Sequence, residues 1–315
     1  MPVMEPPLDK LANSMTDVNV EPSHEYHAEA HALSGYLHHP VYQRIDQKAS
    51  VRLQDYRGDH KQEKESRYNL EGVVNFENAT SRVSGNRNLK NKGWITLSTS
   101  VLEGLNVLEV ITADRVVSQV STEHAYIDGH VPSVTFLGTQ FVNLRVSGFP
   151  LQPKFRFGIC GDKPAGTTPY AKHMKFLQGV QEQVKQIVQG DLPSDVRATY
   201  IERGKVINGL IDDVGKGGNG SGGREPIVVT CSLIESIDIG DLKAIIPGLK
   251  AAGNVLFIPE FGTVALGEVE VKCSLQDNGE YDNYFHLKML QMNLGCVGNG
   301  SLTAGSSANN GTHHP

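Results

Sequence analysis

Period-two alternation is the feature that most constrains this chain. Val142, Leu144 and Val146 alternate with Asn143, Arg145 and Ser147, and Gly148 stops the run. A strand that buries one face and wets the other has this pattern. Related runs recur on both sides of the chain's middle. The stretch Ile95–Val120 is rich in β-branched residues and reads as two strands broken at Gly104–Asn106. Ile227–Leu233, Asn254–Ile258 and Thr263–Leu275 read as further strands. In the last of these, Ala265, Val269, Val271, Cys273 and Leu275 mark one face and Glu268, Glu270 and Lys272 the other. Tyr284–Leu294 starts with Phe285, Leu287 and Met289, then changes parity to Leu290, Met292 and Leu294. Such a change signals a β-bulge, a strand that moves between sheets, or burial on both faces. Asn278-Gly279, between two strand patterns, is the best hairpin signal in the chain.

One segment breaks the alternation. Thr168-Pro169 reads as an N-cap followed by proline at the first helical position. Phe176, Leu177, Val180, Val184, Ile187 and Val188 then recur at helical spacing, with lysines and glutamines opposite. Ser194-Asp195 can cap a second helix, with Val196, Tyr200 and Ile201 inward. Residues 168–208 therefore read as a two-helix insertion inside a β protein.

Glycine, at 33 of 315 residues, supplies turns and two loose tracts. The tract 215–223 (GKGGNGSGG) cannot pack and reads as a flexible loop. It contains the spacing Gly215, Gly217, Gly220, but a dinucleotide turn needs a strand before it and a helix after it, and here a β run follows. Lys216 precedes glycine rather than Ser or Thr, so a Walker loop also fails. Residues 298–315 read as a flexible tail, residues 1–22 as a loose arm, and the charged run 55–66 (DYRGDHKQEKES) as a solvated hairpin tip or loop. The expected organisation is a single domain over 23–297. Its class is mainly β, an antiparallel sandwich or barrel.

Net charge is −6, which argues against a broad nucleic-acid surface. No run of residues approaches the roughly 18–20 apolar positions of a membrane-spanning helix. The N-terminal stretch shows no signal-peptide pattern, so the expected compartment is the cytoplasm, with an extracellular location left open. Cys160, Cys231, Cys273 and Cys296 form no CxxC pair and sit in or beside apolar runs, which favours free buried thiols.

Candidate chemistry is sparse. Five histidines lie between positions 24 and 39. On a strand, His27, Glu29 and His31 share one face; on a helix, His24, His27 and His31 do. His27, Glu29 and His31 are thus the candidate ligands for a divalent metal, set against a plain solvated strand face. No GxSxG elbow is present, and Asp114-Arg115 reads as a surface charge pair. Trp94, Glu123 and His124 are the candidates for a ligand pocket, with core packing the alternative for Trp94.

The runs 104–123 (GLNVLEVITADRVVSQVSTE) and 136–148 (FLGTQFVNLRVSG) resemble strand segments of the bacterial choice-of-anchor P family. Uncharacterised bacterial β-rich proteins of similar length look alike over most of the chain, including 261–268 (FGTVALGE). The resemblance implies β-rich extracellular modules of unknown activity. No signal peptide or wall-sorting tail is seen to carry secretion over, and no catalytic residue transfers. The leading functional expectation is a non-catalytic binding or structural module for a small molecule or a protein. The alternatives are a barrel-type small-ligand enzyme (isomerase- or cyclase-like) or carrier, and a metal-dependent enzyme using His27, Glu29 and His31. The helical insertion is a candidate surface for homo-oligomer contact.

Overall fold

The structure is a computed structural model and describes residues 23–39, 42–88, 93–127, 129–216, 225–295 and 299–314. The strands, in chain order, are β1 (Ser23–Leu37), β2 (Gln43–Lys48), β3 (Val51–Asp55), β4 (His60–Leu70), β5 (Val74–Asn88), β6 (Gly93–Val107) and β7 (Ile111–Ala125). Short strands β8 (Ser133–Thr135), β9 (Gln140–Val142), β10 (Arg145–Val146), β11 (Phe149–Pro150) and β12 (Gln152–Phe155) follow. Helices α1 (Met174–Gln189) and α2 (Ser194–Gly215) precede β13 (Ile227–Ser232), β14 (Ile234–Asp238) and α3 (Leu242–Ile245). The chain ends with β15 (Lys250–Ala252), β16 (Val255–Ile258), β17 (Gly262–Leu275), β18 (Tyr281–Leu294) and β19 (Gly300–His314).

Two antiparallel sheets face each other. The first has nine strands on the path β15-β16-β17-β18-β19-β1-β2, with β13 also on β17 and β3 also on β1. The second has eight on the path β11-β10-β7-β6-β5-β4, with β8 and β9 on β7. Both sheets are open, so among the described residues the fold is a sandwich and not a barrel. A mainly β chain with a small helical insertion is what the alternation implied.

The interior has two parts. One is apolar: Val269, Val271, Phe285 and Leu287 are fully buried, and Tyr170 meets Phe285 edge-on at 5.1 Å between ring centres. In the other, β1 and β19 face β6 and β7 through small side chains. Ala28, Ala30, Ser98, Ser100, Ser118 and Ser307 are all buried there. The sheets come close enough for side chains to reach the opposing backbone. Asn309 Nδ2 donates to the carbonyls of Thr96 (2.9 Å) and Val120 (2.7 Å), and Ser307 Oγ to that of Ser118 (3.1 Å). Buried polar groups are tolerated when such partners exist.

That packing corrects the reading of the C-terminal tail. Residues 300–314 form β19, hydrogen-bonded between β18 and β1 in the first sheet. The Gly, Ser and Asn content that suggested fraying is what a closely approached inner face requires. The arm 1–22 and positions 217–224 of the glycine tract lie outside the described residues, while Gly215 ends α2.

Reversals of side-chain parity run across both sheets. The pairs Leu266–Leu290 and Glu268–Lys288 set Gly267 opposite Met289. The pairs on either side likewise set Met289 opposite Gly305, and Gly305 opposite Ala32. Gly267 (φ 59°) and Gly305 (φ 65°) are left-handed. A left-handed residue turns an extended chain about its axis, so the buried set changes parity while the register is kept. Leu266 and Val269 are buried on the two sides of Gly267, as are Met289 and Leu290 on β18. The parity change at Met289/Leu290 is therefore neither a bulge nor a change of sheet. It also places Ala265 and Glu268 on the same, outer face, which corrects the grouping of Ala265 with Val269.

The second sheet repeats the device. Gly104 (φ 66°) stands opposite Asp114, and Asp114 opposite Asn143 (φ 49°). Asn143 Nδ2 donates to Asp114 Oδ2 at 2.6 Å. The expected break at Gly104–Asn106 is this reversal inside a continuous β6. The chain turns later, at Leu108 (φ 53°) and Glu109 (φ 58°). Asn143 likewise splits the Val142–Val146 run into β9 and β10.

Other local readings are also adjusted. In the charged run 55–66, Asp55 ends β3, only residues 56–59 form the connection, and from His60 the run is β4, an exposed edge strand whose charges suit an unpaired edge. Gly279 (φ 84°) does turn the hairpin between β17 and β18. Pro169 opens a short 3-10 turn (Tyr170–Lys172), and extended His173 separates it from α1, so Thr168 is not the helix cap. Phe176, Leu177, Val180, Val184 and Ile187 are buried as their spacing implied, whereas Ile201 is exposed. Gln183 of α1 donates to Ser232 O (2.8 Å) and accepts from Ser232 N (3.0 Å), closing the free edge of β13.

Candidate functional site

Helix α2 leaves a cleft against the outer face of β17 and β18. Asp195, Thr199 and Arg203 recur at four-residue spacing, so they lie along one face of the helix. They form one wall. Thr263 and Ala265 of β17 and Gln291 and Asn293 of β18 form the other, and the cleft encloses about 380 Å³. Outward parity on both strands follows from the reversal at Gly267 and Met289.

An ion pair closes the cleft's base. Arg203 Nη1 meets Glu268 Oε1 at 2.6 Å, and the Glu268 side chain is 7% exposed. The Arg203 guanidinium lies 4.7 Å from the centre of the Tyr200 ring, a cation–π distance. Burial is the largest influence and pulls the Arg203 pKa down, but Glu268 and Tyr200 together hold it above its ordinary value. Burial, with Glu268 accepting its hydrogen bond, pushes the Tyr200 hydroxyl well up. Arg203, Glu268 and Tyr200 are thus committed to one another. No histidine or cysteine is among the described residues that line the cleft.

The residues singled out from the sequence lie elsewhere. Trp94 and His124 are buried at the far end of the interior, where His24 stacks on Trp94 (5.3 Å) and lies 4.7 Å from the His124 ring. His124 Nδ1 donates to the Gly129 carbonyl at 2.6 Å. A Cβ on Gly311 would lie 2.5 Å from His24 Cε1, so the cluster is packed solid against β19. Glu123 faces the other side of β7 and accepts from Asn88 Nδ2 (3.2 Å). Trp94, Glu123 and His124 therefore line no common pocket.

His27, Glu29 and His31 do share the outer face of β1, but each has its own partner. His27 meets Glu25 (3.3 Å), Glu29 meets Arg52 (3.1 Å), and His31 Nε2 meets Ser34 Oγ (3.0 Å). Among the described residues no three His, Cys, Asp or Glu side chains converge as metal ligands. Cys160, Cys231 and Cys273 are free and buried, and Cys296 lies outside the described residues. Burial pushes the Cys273 thiol up to about 12, and the Cys160 thiol together with burial raises Cys231. Neither is a thiolate nucleophile.

The sequence reading missed Arg203 and placed Glu268 only on a polar strand face. The available signal was Gly267, a glycine inside a strand pattern, directly before Glu268, and an arginine one turn beyond Thr199-Tyr200.

A second titratable cluster lies on the same outer face. Burial, then Lys288, lowers His31 to about 4; burial, then Lys288 and His31, lowers His286 to about 3. His286 Nε2 meets Ser306 Oγ at 2.7 Å. Both folded values lie below the unfolded value of about 6.5. The unfolded chain therefore takes up protons first, and stability present above about pH 6.5 is lost as pH falls toward the folded values. By pH 5 the expected loss is at most about 2 kcal/mol per histidine. Urea midpoints between pH 7.5 and 5 check this: His286→Gln flattens the decline, and curves parallel to the parent would contradict it.

A family model described as a domain of unknown function, DUF8256, matches residues 24–272. That span runs from β1 nearly to the end of β17. No curated protein and no solved structure matches the chain.

Proposed function

The chain belongs to the DUF8256 family, and we propose that it acts as a non-catalytic binding module whose ligand sits in the cleft between α2 and the outer face of β17–β18. The observation that carries the reading is the Arg203–Glu268 ion pair at the base of a polar-walled cleft. A buried ion pair is a weak source of stability, because desolvation offsets much of the attraction. Its presence at the base of an open cleft suits a preorganised wall for a ligand. The same pairing argues against catalysis, because the Glu268 carboxylate is already engaged by Arg203 and Tyr200. A module of this kind is compatible with the β-rich modules of unknown activity that the resemblance to anchor-P segments implies.

We prefer this reading to the barrel-type enzyme, since of its expected pocket residues Trp94 and His124 are packed in the core while Glu123 lies on the other side of β7, and to the metal enzyme, whose three candidate ligands have separate partners. Thr263→Trp fills the cleft from the solvent side of β17. Saturation-transfer NMR with a fragment library is expected to give hits on the parent that disappear in the variant. Hits that persist in Thr263→Trp would move the site elsewhere, and chemical conversion of a bound fragment would overturn the non-catalytic assignment.

A further inference from the structure

We infer that the ligand of this cleft is a neutral, hydroxyl-rich ring compound of the saccharide class, an inference that rests on the binding reading above. The charges point this way first. Among the described residues lining the cleft, Arg203 is the only cation, and Glu268 neutralises it at 2.6 Å while Tyr200 covers a face of the guanidinium. An anionic ligand would meet the Glu268 and Asp195 carboxylates with no cation to spare. A cationic ligand would find only Asp195, which is exposed and screened by water and salt.

The remaining polar groups are neutral and two-sided. Gln291 and Asn293 carry amides that donate and accept, and Thr199 and Thr263 carry hydroxyls that do the same. Groups of that kind match a ligand whose own groups donate and accept at each position, which describes hydroxyls. Phe257 and Leu294 add apolar surface to the same lining, suited to the C–H face of a saccharide ring. The volume of about 380 Å³ lies near the lower end of the range for small-molecule sites, roughly 300–1,000 Å³, so the ligand is small.

Isothermal titration calorimetry of the full chain with three sets of probes tests this. The sets are methyl glycosides and disaccharides; inorganic phosphate and malonate; and short alkylamines. Saccharide binding that weakens about tenfold in Gln291→Ala and in Asn293→Ala, at unchanged urea midpoints, is the expected result. Binding of phosphate, malonate or an amine that is sensitive to Thr263→Trp would overturn the ligand class while leaving the cleft as the site. Saccharide binding insensitive to both amide variants would place it outside the cleft and overturn the inference. Failure of all three sets would overturn it too; the fragment experiment then decides separately whether the cleft binds anything.

Discussion

Arg203→Met is expected to destabilise the fold by about 2–3 kcal/mol, because it leaves the Glu268 carboxylate buried without its cation. Removing one partner of a fully buried pair costs about 3–5 kcal/mol. The lower figure applies here because water reaches the 33%-exposed Arg203 side chain. Replacing both partners is less costly than removing one: Arg203→Met with Glu268→Leu should recover a large part of the loss, since desolvation of a lone charge is the main penalty. Urea denaturation of the parent, the two single variants and the double variant measures the coupling. Additive losses would mean that the pair contributes nothing beyond its separate contacts.

Gly305→Val should cost about 2–5 kcal/mol. A left-handed conformation costs an ordinary residue roughly 1–2 kcal/mol, and Gly305 has φ 65°. A Cβ there would lie 3.1 Å from Val116 Cγ1 of the opposite sheet and 3.2 Å from Met289 Cβ, so overpacking adds about 1–3 kcal/mol. Gly72 is the control: its φ is 73°, and a Cβ would meet nothing within 4 Å. Gly72→Val thus carries only the conformational cost. Equal losses for the two variants would show that inter-sheet crowding at the reversal is absent. The consequence reaches the cleft, because the row containing Gly305 also contains Gly267, which turns Glu268 outward.

The sequence made the strands legible wherever one face is apolar, as in β17 and β18, and made α1 legible through its stripe from Phe176 to Ile187. Two physical features hid the rest. Single left-handed residues reverse parity in mid-strand, so period-two patterns either break, as at Gly104, or group the wrong residues, as with Ala265 and Val269. Close approach of the sheets fills part of the interior with Ser, Ala and Asn, so β19 carries the composition of a loose tail. The site was harder still. Arg203 and Glu268 are 65 positions apart and come together only through α2 docking on the sheet. Trp94 and His124 stood out because their residue types are rare or reactive, yet they serve the interior, with His24 between them.

Two-dimensional ¹H–¹⁵N spectra of the labelled full chain, titrated with the saccharide that binds most tightly, test the central claim most directly. Perturbations should concentrate at residues 195–203, 262–268 and 291–295, the three segments that build the cleft, and should vanish in Thr263→Trp. Perturbations centred instead on the Trp94–His124 end or on the outer face of β5–β7 would contradict it.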